Sequence, residues 1–383
     1  MKRVEGAPLV EVVEGAARLL VPEGNRERGP GTRGEGVFYN PAMALGRDLT
    51  VLLLDAAAGE GWRMLDGLSA SGARAVRAAV AVPRVAAHAN DWNPVACDLI
   101  RKNAERNGVN VEVTRANLGA LLWESSWHVV DIDPFGSPAP FVDAACRATR
   151  DRGLLAITAT DAPALAGVYP DVAERRYLAR TLRANEGHEI ALRVLAGFAA
   201  RQGAKWECAF TPVAAYASDH YFRVVLRARR GAARADDALA SVGLYIRCRA
   251  CGDRRFERAA PAACPACGGK VAVAGPLWTG LLGERALLEA MRKAADGHAL
   301  ARGADAAKLL DRLAGEADVA GHVFDIPEET SRAGLEAVPR TVDVIAALAR
   351  AGRVATRTHI LPTALRTDAT AAEFAAALKA AGP

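Results

Sequence analysis

Val130-Asp131-Ile132-Asp133-Pro134-Phe135-Gly136-Ser137-Pro138 organises the reading of this chain. The apolar run 128–132 has the length and composition of a buried strand. At its C-terminal end come an acid, a proline, an aromatic and a glycine, and in open α/β sheets that end of a strand is where ligands bind. Toward the N-terminus the pattern alternates. A strand is expected over 62–65, a helix over 73–82, a strand over 85–89, a helix over 95–107, a short strand over 111–114 and then a polar turn. Toward the C-terminus come a helix over 141–149 and a strand over 154–158. Strands alternating with helices predict a parallel, doubly wound sheet.

The flanks are read the same way. The run 29–36 is rich in glycine and reads as a loop. Asn40 suits an N-cap and Pro41 the first helical position, opening a helix that Gly59 stops. Segment 172–200 reads mostly as helix, and 205–217 with 221–227 as an antiparallel pair. The small, polar and charged run 231–241 is the best linker candidate. A cysteine module over 245–273 follows, then helices over 281–295 and 304–317. A helix-turn-helix pair over 330–337 and 341–351 and a strand over 353–359 suggest a winged-helix-like unit. The expected domains are therefore 1–230 and 240–383.

At 383 residues, 51% hydrophobic and 24% charged, the chain has the balance of a globular protein with more than one core. Its formal net charge of +5 permits a polyanionic partner without requiring one. Ten arginines face four acids between Arg223 and Arg258, which fits either a nucleic-acid surface or a solvated helix face. No signal-peptide pattern follows Met1-Lys2-Arg3, and no apolar run is long enough to span a bilayer. A reducing cytoplasm is the expected compartment, so the seven cysteines are read as free or metal-bound rather than as a disulfide framework.

The strand over 62–65 ends in Asp66-Gly67-Leu68-Ser69-Ala70-Ser71-Gly72. Its small residues let backbone approach a ligand, and the next helix aims its N-terminus there. Asp91, nineteen residues after Gly72, closes the following strand and suits the two hydroxyls of a ribose, or else a helix N-cap. With no second phosphate-binding element, S-adenosylmethionine fits these two elements better than a dinucleotide. An Asp-Pro-aromatic corner beside them suits methylation of a planar amino nitrogen. Asp133 and the Pro134 carbonyl can accept its two N–H bonds, and Phe135 can stack on the base that carries it. Together the pieces read as a methyltransferase.

Cys248-x2-Cys251-x12-Cys264-x2-Cys267 has zinc-ribbon spacing, and glycine follows each pair to allow a tight knuckle. Four thiolates leave no open coordination position, so the expected zinc is structural. Cys97, Cys146 and Cys208 lack such spacing and are read as small core residues.

In this order the motifs resemble the archaeal tRNA guanine-26 N2-dimethyltransferase family. The matching stretches are Gly36 to Asp48 (G-V-F-Y-N-P-A-M-A-L-G-R-D), Asp66 to Arg74, Asn90-Asp91, Asp131 to Pro138, and Thr158-Ala159-Thr160-Asp161. Further matches are Tyr216 to Arg223 and Ala355 to His359. The resemblance implies a Rossmann-like class I methyltransferase sheet and an α+β C-terminal domain with a four-cysteine zinc module that helps to bind tRNA. It implies S-adenosylmethionine as donor and mono- then dimethylation of guanine N2. By position, Arg47, Asp66, Ser69, Gly72, Arg74, Asp91, Arg115 and Ala116 would contact the cofactor. Asp133 with Pro134 would be catalytic, and Phe38 and Phe135 would sandwich an extruded guanine. Where relatives carry an acidic pair against the adenine, this chain has Thr114-Arg115-Ala116-Asn117, with Asn117 able to bond the adenine amino group. The competing reading is an amino-methyltransferase for another RNA, DNA or a protein amide, since the same corner chemistry serves those substrates. A monomer is expected.

Overall fold

The computed structural model describes residues 3–4, 7–23, 36–218 and 220–382. Of the expected glycine loop only Gly36 falls among them, and Asp219 of the 216–223 motif lies outside them.

The chain divides into two compact units. The first comprises Met1–Thr160, Val225–Arg230 and Ala286–Asp311, and the second Asp161–Val224, Gly231–Arg285 and Arg312–Pro383. This division differs from the expected domains 1–230 and 240–383, because Asp161–Val224 clusters with later sequence and Ala286–Asp311 with the first unit.

In the first unit five parallel strands lie side by side in the order Val111–Thr114, Val85–Asn90, Trp62–Asp66, Trp127–Ile132 and Thr149–Ala159. Along the chain the strands step one way from Trp62–Asp66 and then jump to its other side. The switch point therefore falls between Trp62–Asp66 and Trp127–Ile132, where Asp66 and Asp131 are register partners. Val, Ile, Leu and Ala fill the sheet core, as strands covered on both faces require. Helices Ala73–Ala81, Pro94–Arg106 and Ala139–Ala148 match expectation within a few residues. Helix Leu118–Glu124 stands where a polar turn is expected; Asn117 caps it by accepting from Ala120 N at 3.3 Å.

A hairpin of Ala7–Glu14 and Ala17–Pro22, which the sequence pattern does not announce, packs on this unit. Its Leu19 and Val21 share a core with Val76 and Ile100 of the neighbouring helices. Asn103, fully buried, accepts from Leu20 N at 2.7 Å and donates to Leu20 O at 3.0 Å and Ser71 O at 2.9 Å. One side chain thus joins the hairpin to the loop before helix Ala73–Ala81. The Asn40 cap is as expected: its side chain accepts from Ala42 N at 3.0 Å, and Pro41 opens a short 3-10 turn that runs into helix Ala44–Ala57.

In the second unit helix Gly187–Ala204 is buried along most of its length. Strand Val242–Cys248 runs antiparallel between Arg254–Glu257 and Val271–Trp278. The expected linker over 231–241 is instead helix Ala232–Ala240. Its five alanines are strong helix formers, and their propensity outweighs the polar look of the segment. The C-terminal elements follow in the order His322–Asp325, Ile326–Arg332, Thr341–Arg350, Ala355–Arg357, Ala364–Thr367 and Ala371–Ala381. Ala364–Thr367 pairs antiparallel with both other short strands, the arrangement of a winged helix. Phe324, Val344, Leu348, Leu365, Phe374 and Leu378 form its core. The last helix carries a capping box of Thr370 and Glu373.

Candidate active site

The switch point gathers most of the sequence-flagged acids. At the end of strand Trp62–Asp66 the chain turns at Gly67, whose N–H donates to Asp131 O at 3.0 Å. A Cβ at Gly67 would crowd the Leu118 side chain at 3.0 Å and Asp131 O at 3.2 Å, tighter than an ordinary contact. The loop is then tied in three places. Ser69 Oγ donates to Asp66 O at 2.7 Å, Ser69 N donates to Asn90 O at 2.9 Å, and Ala70 N donates to Asp91 Oδ2 at 2.8 Å. Gly72 adopts φ +74°, and a Cβ there would lie 2.9 Å from Ile100. Helix packing alone accounts for its place.

Asp91 uses both carboxylate oxygens. Its other carboxylate oxygen accepts from Asn93 N at 2.9 Å, but the N-cap of helix Pro94–Arg106 is Asn93, whose side chain accepts from Val95 N at 2.9 Å, so Asp91 anchors the loop rather than capping the helix. Asn90, not singled out in the sequence beyond its motif, is 1% exposed and fastens the adjacent segment. It donates to Gly67 O at 3.1 Å and Ala116 O at 3.3 Å and accepts from Ala116 N at 3.1 Å. Arg115 is exposed, with Nε donating to Trp92 O at 3.3 Å. Asn117 spends its side-chain oxygen on the helix cap.

Asp131 and Asp133 both face Arg74 from helix Ala73–Ala81. The guanidinium forms an ion pair with Asp133, stands 3.6 Å from Asp131 and donates to Thr50 Oγ1 at 2.8 Å. Arg74 and Asp131 are buried, whereas the Asp133 side chain keeps 17% of its surface exposed. Asp66 is buried beside them with Oδ2 lacking any hydrogen-bond partner. Burial pushes its carboxyl up, Arg74 opposes this, and the like charges of Asp131 and Asp133 add to it, leaving the group at about 7.

Arg47 is held differently from Arg74. Its Nε and Nη2 fork onto Glu14 at 2.6 Å each, and Nη2 also donates to Asn40 O at 3.0 Å. Glu14, on the unforeseen hairpin, also accepts from Arg77 and from Tyr39 OH at 2.6 Å each. Burial would raise the Glu14 carboxyl, but Arg47 and Arg77 override it and hold it at about 2. The network fixes the Phe38-Tyr39-Asn40 segment. Phe38 and Phe135 meet edge to face, with ring centroids 4.4 Å apart and an interplanar angle of 73°. Phe135 is half exposed. The turn after Pro134 is anchored by Gly136 N donating to Thr160 Oγ1 at 2.7 Å and Thr160 N donating to Gly136 O at 2.9 Å. Two motifs distant in sequence thereby meet.

In the second unit the four sulfurs of Cys248, Cys251, Cys264 and Cys267 lie within 4.8 Å of one another. The Cys248–Cys267 and Cys251–Cys264 separations are 3.6 and 3.7 Å, near the ~3.8 Å edge of a tetrahedron with Zn–S bonds of about 2.3 Å. Gly252 N donates to Cys248 O and Gly268 N to Cys264 O, closing each knuckle at a left-handed glycine. The donor set fits zinc. Cys97, Cys146 and Cys208 are buried, as small core residues are expected to be. Among the described residues no helix is long and apolar enough to cross a membrane.

The comparisons agree with this geometry. The family model described as N2,N2-dimethylguanosine tRNA methyltransferase matches residues 15–379. A tRNA (guanine(26)-N(2))-dimethyltransferase of Methanothermobacter thermautotrophicus is 38% identical over 372 residues, covering 94% of this chain and 96% of that protein. That of Methanopyrus kandleri is 39% identical over 379 residues, covering 96% of each. The solved complex of Trm1 from Pyrococcus horikoshii with S-adenosyl-L-methionine superposes with a TM-score of 0.85 at 33% identity, over 97% of this chain and all of that one. With a switch-point acid cluster, a four-cysteine knuckle and similarity along nearly its whole length, the chain belongs to the N2,N2-dimethylguanosine tRNA methyltransferase family.

Proposed function

We propose that this chain transfers methyl groups from S-adenosylmethionine to the exocyclic N2 of the guanine at position 26 of tRNA, giving N2-methyl- and then N2,N2-dimethylguanosine. The observation that carries the reading is the accessible Asp133 carboxylate at the sheet's switch point, fixed by Arg74 and followed by Pro134 and Phe135. The orphaned, buried Asp66 Oδ2 and the partly exposed Asp91 carboxylate give a cationic, ribose-bearing cofactor two anchoring groups. Ser69, Gly72 and Ala116 offer close backbone approach, while Arg47, Arg74 and Arg115 bring positive charge. Bound S-adenosylmethionine supplies a sulfonium methyl that is already reactive.

The protein's task is then position and charge. Extruding a base costs a few kcal/mol, which stacking on Phe38 and Phe135 offsets by roughly 1–3 kcal/mol per contact. Asp133 and the Pro134 carbonyl accept the two N2 hydrogens, turning the nitrogen lone pair toward the donor. As positive charge grows on N2 the Asp133 carboxylate stabilises it and then takes the proton. One N–H remains after the first transfer, which permits a second. Cys248, Cys251, Cys264 and Cys267 hold a structural Zn2+. The winged-helix elements, with exposed Arg340 and Arg350, support a tRNA-binding role for the second unit. The reading takes the protein as a monomer of the reducing cytoplasm.

The test is radiolabelled methyl transfer to tRNA transcripts carrying G or A at position 26, with nucleoside digestion of the product. Label in N2-methylated guanosine from the G26 transcript alone is expected. Equal labelling of both transcripts moves the target elsewhere. Labelling of ribosomal RNA, DNA or protein but not tRNA returns the reading to another amino-methyltransferase.

A further inference from the structure

Three carboxylates cluster around one guanidinium at the switch point, and two of them pair with it. The sheet register sets Asp66 beside Asp131, and two residues on, Asp133 returns to the same Arg74 that faces Asp131. Arg74 is committed to those two and to Thr50, all within the first unit. Asp66 forms no ion pair of its own and its buried Oδ2 has no hydrogen-bond partner, although the Arg74 charge and a Ser69 hydrogen bond both act to lower its carboxyl. Arg47, on helix Ala44–Ala57, adds a cation that acts on Asp133 but is itself forked onto Glu14. Ser69, from the following loop, gives its hydroxyl to the Asp66 carbonyl. Ala89, the other register partner of Asp66, carries no charge.

A buried carboxyl in such surroundings holds its proton to much higher pH than an exposed one, since a buried anion beside two others is disfavoured. The cofactor carries an ammonium, a sulfonium and a carboxylate, a net positive charge. Its arrival reverses the local balance. Resting on the methyltransferase reading above, we infer that Asp66 is the proton-exchanging member of this cluster. Binding of S-adenosylmethionine converts it from carboxylic acid to carboxylate and releases the proton to solvent. Asp66 thereby couples cofactor affinity to pH and is a positioning residue for the cofactor, distinct from Asp133, which meets the guanine. Burial and the charges of Asp131 and Asp133, against Arg74, hold the Asp66 carboxyl at about 7, so the exchange falls in the physiological range.

The test is isothermal titration of the zinc-loaded full chain with S-adenosylmethionine in two buffers of different ionisation enthalpy, phosphate and Tris, at pH 6.5 and 8.5. A buffer-dependent heat at pH 6.5 equivalent to about half to one proton released per cofactor is expected, shrinking toward zero at pH 8.5. The dissociation constant should rise as pH falls below 7, approaching about tenfold per unit. Asp66→Asn should abolish the buffer dependence and flatten the pH profile. Heats at pH 6.5 that are the same in both buffers for the native protein, or an undiminished proton release from Asp66→Asn, overturn the inference. The native pH pair decides the matter even if the variant does not fold. Failure of the native protein to bind S-adenosylmethionine in any buffer overturns the methyltransferase reading itself, and this inference with it.

Discussion

In the proposed mechanism Asp133 lies at the meeting of two demands. It must stay close enough to Arg74 to remain in place and open enough to meet a base, and the 17% exposure left to its side chain reconciles them. Replacing it tests the chemistry with little structural confusion, because Arg74 keeps Asp131 and Thr50 as partners. Asp133→Ala is expected to lower single-turnover methyl transfer by about 10²–10⁴-fold. Its dissociation constant for S-adenosylmethionine, read by calorimetry, should change little. Equal turnover in that variant would remove the residue from the mechanism. Asp66, Asp91 and Asp133 are legible in sequence because each closes a strand and is followed by turn residues, a local pattern. Asn90 and Asn103 are not, since their role is to satisfy backbone groups 23 to 83 residues away, and no local spacing encodes that. The sequence points Asn117 toward the adenine, but its side-chain oxygen serves a helix that stands in place of the expected turn.

At the scale of elements the parallel sheet is readable and the N-terminal hairpin is not. The sheet strands are nearly continuous apolar runs separated by helices of amphipathic period, a strong signal. The hairpin strands have no helix between them to set such a rhythm, and a segment full of glycine and arginine follows. The hairpin's consequence is Glu14, which gathers Arg47, Arg77 and Tyr39 under the Phe38 segment. A carboxylate held at about 2 contributes stability that is complete above the ordinary Glu value of about 4.3 and is lost as pH falls toward 2. Glu14→Gln should therefore destabilise the protein at pH 7 by about 3–5 kcal/mol, as breaking a buried ion pair does, and by much less near pH 2. Urea unfolding at the two pH values measures this; equal losses at both would refute the ionic account. The helix Ala232–Ala240 shows the opposite failure, in which small and charged residues suggest a linker while alanine propensity makes a helix.

For the whole molecule, two units and two chemistries share one chain. The cysteine spacing alone predicts the knuckle, because glycine after each pair and the short loops leave the sulfurs few other arrangements. The unit boundaries are not legible, since the chain leaves the first unit at Asp161 and returns to it twice, and composition does not record such returns. One zinc per chain is expected by elemental analysis of purified protein, and Cys264→Ser should lower that content and the melting temperature together. Loss of zinc with no thermal change would make the metal incidental to the fold. If the second unit holds tRNA through phosphates, the affinity should fall steeply and linearly on a logarithmic salt scale between about 50 and 200 mM, as counterion release demands. Filter binding across that range measures the slope, and a flat response would assign the winged-helix elements a purely structural part.

The two phenylalanines touch each other edge on, and if the guanine is to stack between them as proposed, that contact has a kinetic consequence. A shut pair of rings works as a turnstile: nothing planar enters until something pries it apart. A loose nucleoside has no lever with which to do so. A nucleotide anchored in a folded tRNA does, because its backbone is gripped on either side of the base. Free guanosine should thus be methylated far more slowly than the same base in tRNA, even at saturating concentration, and opening the gate with Phe38→Ala should narrow that gap.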